Sequence, residues 1–171
     1  GKGSKSNMKD DRIIDATKMH MLSVKTLKGN IESPPGIDPI LVKSHSFNFL
    51  LGHGLDLEQK LVGLELQIDI EALGKTDEAL GIKGSYTHEI VFRVENLEDF
   101  VDRAEPVEES EVDFLLMATL VGIAYSTVRG IIFSRTQGAS LGTIILPVVD
   151  PKRIMEAPVE NGNPVAQVET V

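Results

Sequence analysis

Phe114-Leu115-Leu116-Met117-Ala118-Thr119-Leu120-Val121-Gly122-Ile123-Ala124-Tyr125-Ser126-Thr127-Val128 runs for fifteen residues without a charge, and Arg129 then stands alone before Gly130-Ile131-Ile132-Phe133. Wound at 3.6 residues per turn, the apolar side chains of this stretch surround the axis instead of forming one stripe. A helix of that kind has to be covered on every side. One layer of sheet covers a single face, so the rest requires another helix, another subunit or a bound apolar segment. The run falls short of the roughly 18 apolar residues a membrane helix needs and includes Thr119, Gly122, Ser126 and Thr127, so it reads as buried in protein, with no direct membrane insertion.

Upstream of the helix the hydrophobic period changes from 3.6 to 2. Apolar residues alternate from Val62 to Ala72 with Gly63, Glu65, Gln67, Asp69 and Glu71, which gives one buried face and one wet, acidic face. Tyr86, His88, Ile90, Phe92 and Val94 repeat the pattern, with only Val91 breaking it. A shorter strand carries Phe47, Phe49 and Leu51 and stops at Gly52-His53-Gly54. The first strand runs from Met19 to about Ile31 and ends at Ser33-Pro34-Pro35-Gly36, a proline-rich crossover that continues to about Lys43. Loops such as Gly74 to Gly84 are too short for a crossover helix, so the sheet is expected to be antiparallel.

Ser110 with Asp113 resembles a capping box, and Glu108, Glu109 and Glu111 place negative charge at the positive end of a helix dipole, which starts the long helix near Glu111. Gly138 and Gly142 end it, ahead of a short extended segment and a final turn at Asp150 to Met155. The fold class is α+β: a four-stranded antiparallel sheet followed by helices packed on one face. Residues 1–15 and 156–171 read as flexible ends around a single domain, 16–155.

A chain of 171 residues, 42% hydrophobic, can build one domain with a core. Seventeen basic against twenty-six acidic residues give a net charge of −9, a field that repels nucleic acid and attracts basic partners. No cysteine is present, which excludes thiolate chemistry and disulfides and fits a cytoplasmic location. Gly1 to Asn7 lack the apolar core of a signal peptide.

Gly138-Ala139-Ser140-Leu141-Gly142 matches the G-x-S-x-G pattern of hydrolases, but a helix precedes it, a strand follows, and His20, His45, His53 and His88 all come before Ser140. It reads as a loop, without a catalytic residue. Gly3-Ser4-Lys5-Ser6 lacks the strand and first glycine of a phosphate-binding loop. The histidines have no metal-ligand spacing, so neither a metal nor another cofactor is expected, and His88 reads as a satisfied inward histidine. Glu65, Asp69, Glu71, Glu89 and Glu95 read as a solvated face that lacks a concave pocket, with an acidic docking surface as the alternative.

Four antiparallel strands, a crossover after the first, a long apolar helix and a G-x-x-x-G-x-x-x-L-P loop together resemble the SecB export-chaperone family over about residues 19–155. The specific matches are Ala124-Tyr125-Ser126-Thr127-Val128-Arg129-Gly130-Ile131, Ser134-Arg135, Leu146-Pro147-Val148, Lys28-Gly29-Asn30-Ile31-Glu32-Ser33-Pro34 and His88-Glu89-Ile90. The resemblance implies a homotetramer, a dimer of dimers whose helices lie between sheets, and an ATP-independent holdase for unfolded polypeptides in protein export. It places docking on the SecA translocase at Glu32 and Glu89, although Gly29 stands where the family has an aspartate and the tail differs. Client grooves would draw on Ile37, Pro39, Ile40, Leu41 and Val42 of the crossover and on Tyr125, Phe133, Leu141 and Ile145 of the C-terminal half, each of which also reads as ordinary core. Two other readings are a partner-specific chaperone of the toxin-antitoxin type and a non-catalytic scaffold that kept the fold.

Overall fold

The computed structural model describes residues 13–156 in full and, beyond them, the strand backbones 159–160, 163–164 and 167–170. Strands β1 (Met19–Glu32), β2 (Ser44–Asp56), β3 (Leu61–Leu73) and β4 (Ala79–Val94) form one antiparallel sheet in the order β1-β4-β3-β2. Tight turns with positive φ at Lys60 (60°) and Asp77 (59°) join β2 to β3 and β3 to β4, so these neighbours can only run antiparallel. The crossover carries the chain from β1 to the far side of the sheet. It contains a single helical turn, Pro39–Leu41, capped by the Asp38 carboxylate, which accepts from the Ile40 amide at 3.0 Å.

Two strand boundaries differ from expectation. β2 does not stop at Gly52-His53-Gly54; its ladder continues through Gly52↔Glu65 and Gly54↔Gly63 to Asp56↔Leu61. Glycine lacks a side chain but keeps both backbone hydrogen-bonding groups, so it weakens a strand without ending it. β4 begins at Ala79, which shrinks the preceding turn to a few residues closed by Gly74 N–H donating to Glu78 O at 2.9 Å. On β1 the register against β4 slips at Leu22 and again at Leu27, leaving two half-exposed leucines as bulges on the sheet's outer edge.

The long helix α1 (Phe114–Thr136) lies on the sheet's inner face, after a small ladder between β5 (Val101–Asp102) and β6 (Glu111–Val112). It starts three residues later than expected, because Asp113 and not Ser110 is the cap. The Asp113 carboxylate accepts from the amides of Leu115 (2.9 Å) and Leu116 (3.3 Å), while Ser110 Oγ accepts from the Ala104 amide at 2.9 Å and closes the loop before it. Since Arg129 is taken into the helix, its 23 residues suffice by length and composition to cross a membrane. Leu116, Leu120, Val121, Val128 and Ile132 nevertheless meet the sheet in one core with Phe49, Leu66, Ile68 and Ile90; withdrawing α1 into lipid would strip that face. On the other side Phe114, Leu115, Ile123 and Phe133 remain exposed, so this chain covers its apolar helix only in part.

After α1 an extended arm leads to α2 (Pro151–Met155), whose cap Asp150 accepts from the Lys152 amide at 3.0 Å. Pro151 sits over Gly122 of α1, where an added Cβ would stand 3.3 Å from the proline ring. The backbone of β7 (Val159–Glu160) pairs with β8 (Asn163–Pro164), and β9 (Gln167–Thr170) pairs antiparallel with β2 over His45–Asn48. A fifth strand thus lies within the 156–171 tail expected to be flexible. Residues 1–12 of the N-terminal segment fall outside the described residues.

Candidate functional site

The crossover, the end of α1 and the loop that follows it meet at one end of the sheet, where β1 and β3 finish and β2 and β4 begin. Three contacts hold them there. Leu141 fills the notch above Gly84, where a Cβ would come within 2.7 Å of its Cδ1. Its carbonyl is hydrogen-bonded to His45 Nε2 at 2.9 Å, and Pro34 of the crossover crosses Gly81, whose φ of +79° and missing side chain allow the approach. The sequence Gly138-Ala139-Ser140-Leu141-Gly142 therefore works as a clasp: positive φ at both glycines turns the chain and drives Leu141 into the sheet. An extended segment outside any sheet follows it, not the strand expected.

The arm from Leu141 to Val149 is stapled to α1 at two places. Thr136, fully buried, donates from Oγ1 to Ile132 O and accepts the Ile144 amide, each at 2.8 Å. Tyr125 donates its hydroxyl to Pro147 O and sets its ring edge-on to Phe49 at 5.8 Å. Burial raises the Tyr125 phenol far above its ordinary range, despite the opposing charge of Arg129, so it stays a donor. With Ile144, Leu146 and Val149 turned inward, Ile145 and Val148 are left facing solvent.

These contacts divide the nine groove residues. Leu141 is 0% and Tyr125 5% exposed, so both act as core here and present nothing to a client in this conformation. The physical reason is the clasp and the arm, which cover them with the protein's own chain. Ile40 is 71%, Leu41 50%, Ile145 60% and Phe133 39% exposed; Pro39 is exposed as well, while Ile37 and Val42 are half-buried against the core. Sequence reasoning passed over Val148, Phe114 and Leu115, which are also exposed. Alternation from buried Ile144 and Leu146 would turn Val148 inward, so periodicity gives no signal for its exposure; the phase changes at Pro147.

The opposite face of the sheet is acidic. Glu89 lies across from Glu65 on β3 and Lys25 on β1, and Glu32 across from Lys83. Contrary to the expectation of a face without a concavity, it holds a hollow of about 380 Å³ lined by Lys28, Asn30, Asn48, Asp69 and Lys83 among others. Asp69 accepts from Ser85 Oγ at 2.7 Å and Gln67 Nε2 at 3.2 Å, which ties up one wall of the hollow. On the inner face His88 departs from the satisfied histidine expected. It is fully buried, and neither ring nitrogen has a hydrogen-bond partner among the described residues. Burial, followed by the Arg135 charge, lowers its pKa below that of an ordinary histidine.

No family model and no curated protein matches this sequence. Among solved structures, the chain is similar to the SecB-like chaperone Rv1957 of Mycobacterium tuberculosis, in complex with a ChAD peptide from the Rv1956 HigA1 antitoxin. The TM-score is 0.56 at 11% identity, covering 78% of this chain and 92% of that one. At that identity the likeness bears on architecture alone, and with the antiparallel sheet backed by one long helix it establishes that this chain has the SecB-like fold.

Proposed function

We propose that the protein is an ATP-independent holdase chaperone that binds non-native polypeptide on its exposed apolar surface. The observation that carries this reading is the exposure of Ile40 and Leu41 on the crossover, Phe133 in the last turns of α1 and Ile145 on the arm, segments that reach the same end of a SecB-like sheet. Large apolar side chains left in water on three neighbouring segments mark a surface that covers something. Burial at roughly 25 cal/mol per Å2 rewards any apolar segment alike, and preference for the unfolded state holds a client open by mass action, with no covalent step. Suppression of aggregation of several unrelated, reduced and unfolded proteins tests it; failure with all of them removes the reading and favours a scaffold that kept the fold.

A partner-specific chaperone of the toxin-antitoxin type is the second reading, supported by the antitoxin peptide in the complex of the similar structure. It predicts protection of a single client and none of the others. In either case the uncovered side of α1 supports self-association, and we propose a homotetramer. Glu32 and Glu89, on the acidic face, are the proposed contacts for a SecA-type translocase if the clients are export substrates; charge reversal at both would abolish such binding without touching client capture.

A further inference from the structure

The tail strand β9 occupies an edge that a client could use. Among the described residues it pairs with β2 over His45–Asn48, although β2 extends to Asp56. That short ladder starts four residues after exposed Leu41 and includes His45, which holds the clasp. The edge is therefore the rim of the proposed client surface. The sequence around β9, Val165-Ala166-Gln167-Val168-Glu169-Thr170-Val171, is rich in β-branched residues and carries one charge, the composition of an extended segment suited to strand addition.

We infer that β9 is a self-bound stand-in for a client strand: an incoming extended segment displaces it and pairs antiparallel with β2 in its place. The inference rests on the chaperone reading. A tethered strand faces the edge at an effective concentration in the millimolar range, so it competes with clients even when its pairing is weak. If the tail is closed about nine-tenths of the time, apparent client affinity is lowered on the order of tenfold. Weak segments are excluded and strong ones admitted, which suits a protein that must ignore folded neighbours.

The full-length chain allows a test in both directions. Successive residues of a strand point their N–H groups to opposite sides, so the double substitution Val168→Pro with Glu169→Pro removes a ladder donor whichever one faces β2. It should speed exchange of those amides among His45–Asn48 that point away from β3 and tighten capture of a fluorescent unfolded client about tenfold. Ser46 and Glu169 are direct ladder partners, and the chain has no cysteine, so Ser46→Cys with Glu169→Cys forms a unique lock. Oxidation should weaken capture and reduction should restore it. Unchanged exchange in the proline variant, or equal capture by wild-type, proline and locked proteins, overturns the inference while leaving the chaperone reading in place. Absence of capture by every form, wild type included, overturns the chaperone reading itself.

Discussion

Ile40 and Leu141 are both aliphatic, both belong to the crossover-clasp end of the sheet, and should respond to substitution in opposite ways. Fully burying an isoleucine is worth about 1.5–3 kcal/mol. Ile40 is still 71% exposed, so a client that covers it gains roughly 1–2 kcal/mol, or about 5–30-fold in affinity. Ile40→Ser should cost the folded chain no more than about 0.5 kcal/mol, as an exposed position outside the core, yet lose most of that affinity. Leu141 is 0% exposed above Gly84. Leu141→Ala should cost about 2–5 kcal/mol through lost burial and the cavity left behind, a fall of roughly 4–20 °C in melting temperature for a chain of this size. Scanning calorimetry and fluorescence titration with an unfolded client separate the two effects. If Ile40→Ser, alone and with Leu41→Ser, captures client within twofold of wild type, the crossover is not part of the binding surface. If Leu141→Ala melts with wild type, the clasp does not hold the fold as described.

Thr136→Val keeps the shape but strands the buried Ile144 amide, so it should cost about 1–3 kcal/mol; chemical denaturation equal to wild type would show that the arm is not stapled there. His88 has a folded-state pKa below its unfolded value, so its share of stability is complete above about pH 6.5 and is lost as pH falls through the lowered folded value. His88→Leu should flatten that acid limb in melts taken from pH 7.5 to 5, and an unchanged profile would assign the acid sensitivity elsewhere. Ile123→Glu places a charge on the uncovered side of α1 and should reduce a proposed assembly toward the 18.6 kDa chain by light scattering; an unaltered mass would move the subunit contact off this helix.

Periodicity made the sheet legible and left its ends and the site obscure. Strict alternation from Val62 to Ala72 identifies β3 because one face is core and the other water. The same logic fails at Gly52-His53-Gly54, where missing side chains erase the pattern while the ladder runs on. Ser110 and Asp113 are both good caps by type, and only the path of the β5–β6 ladder decides that Asp113 has the free helix end. Between groove and core, the two readings open for Tyr125 and Leu141, the sequence offers no choice for a related reason. A segment apolar on all sides offers no phase from which to read which residues face solvent, and the clasp that buries Leu141 depends on Gly84, fifty-seven positions earlier.

The degree to which α1 is covered bears on what an assembly would require. The arm, α2 and the sheet take up most of the helix, and the exposed fractions of Phe114, Leu115, Ile123 and Phe133 leave on the order of 350 Å2 of apolar side chain, taking about 200 Å2 for each. A stable interface buries about 800 Å2 per partner, so the helix face alone falls well short. The proposed tetramer must enlist a second surface. One option is the outer edge of β1, which among the described residues pairs only with β4, and where the bulged Leu22 and Leu27 stand half-exposed. The other is the arm with Ile145 and Val148, which is also the proposed client surface. If subunits meet through β1, client binding leaves the assembly intact. If they meet through the arm, clients and subunits compete, and scattering mass must fall as client is added.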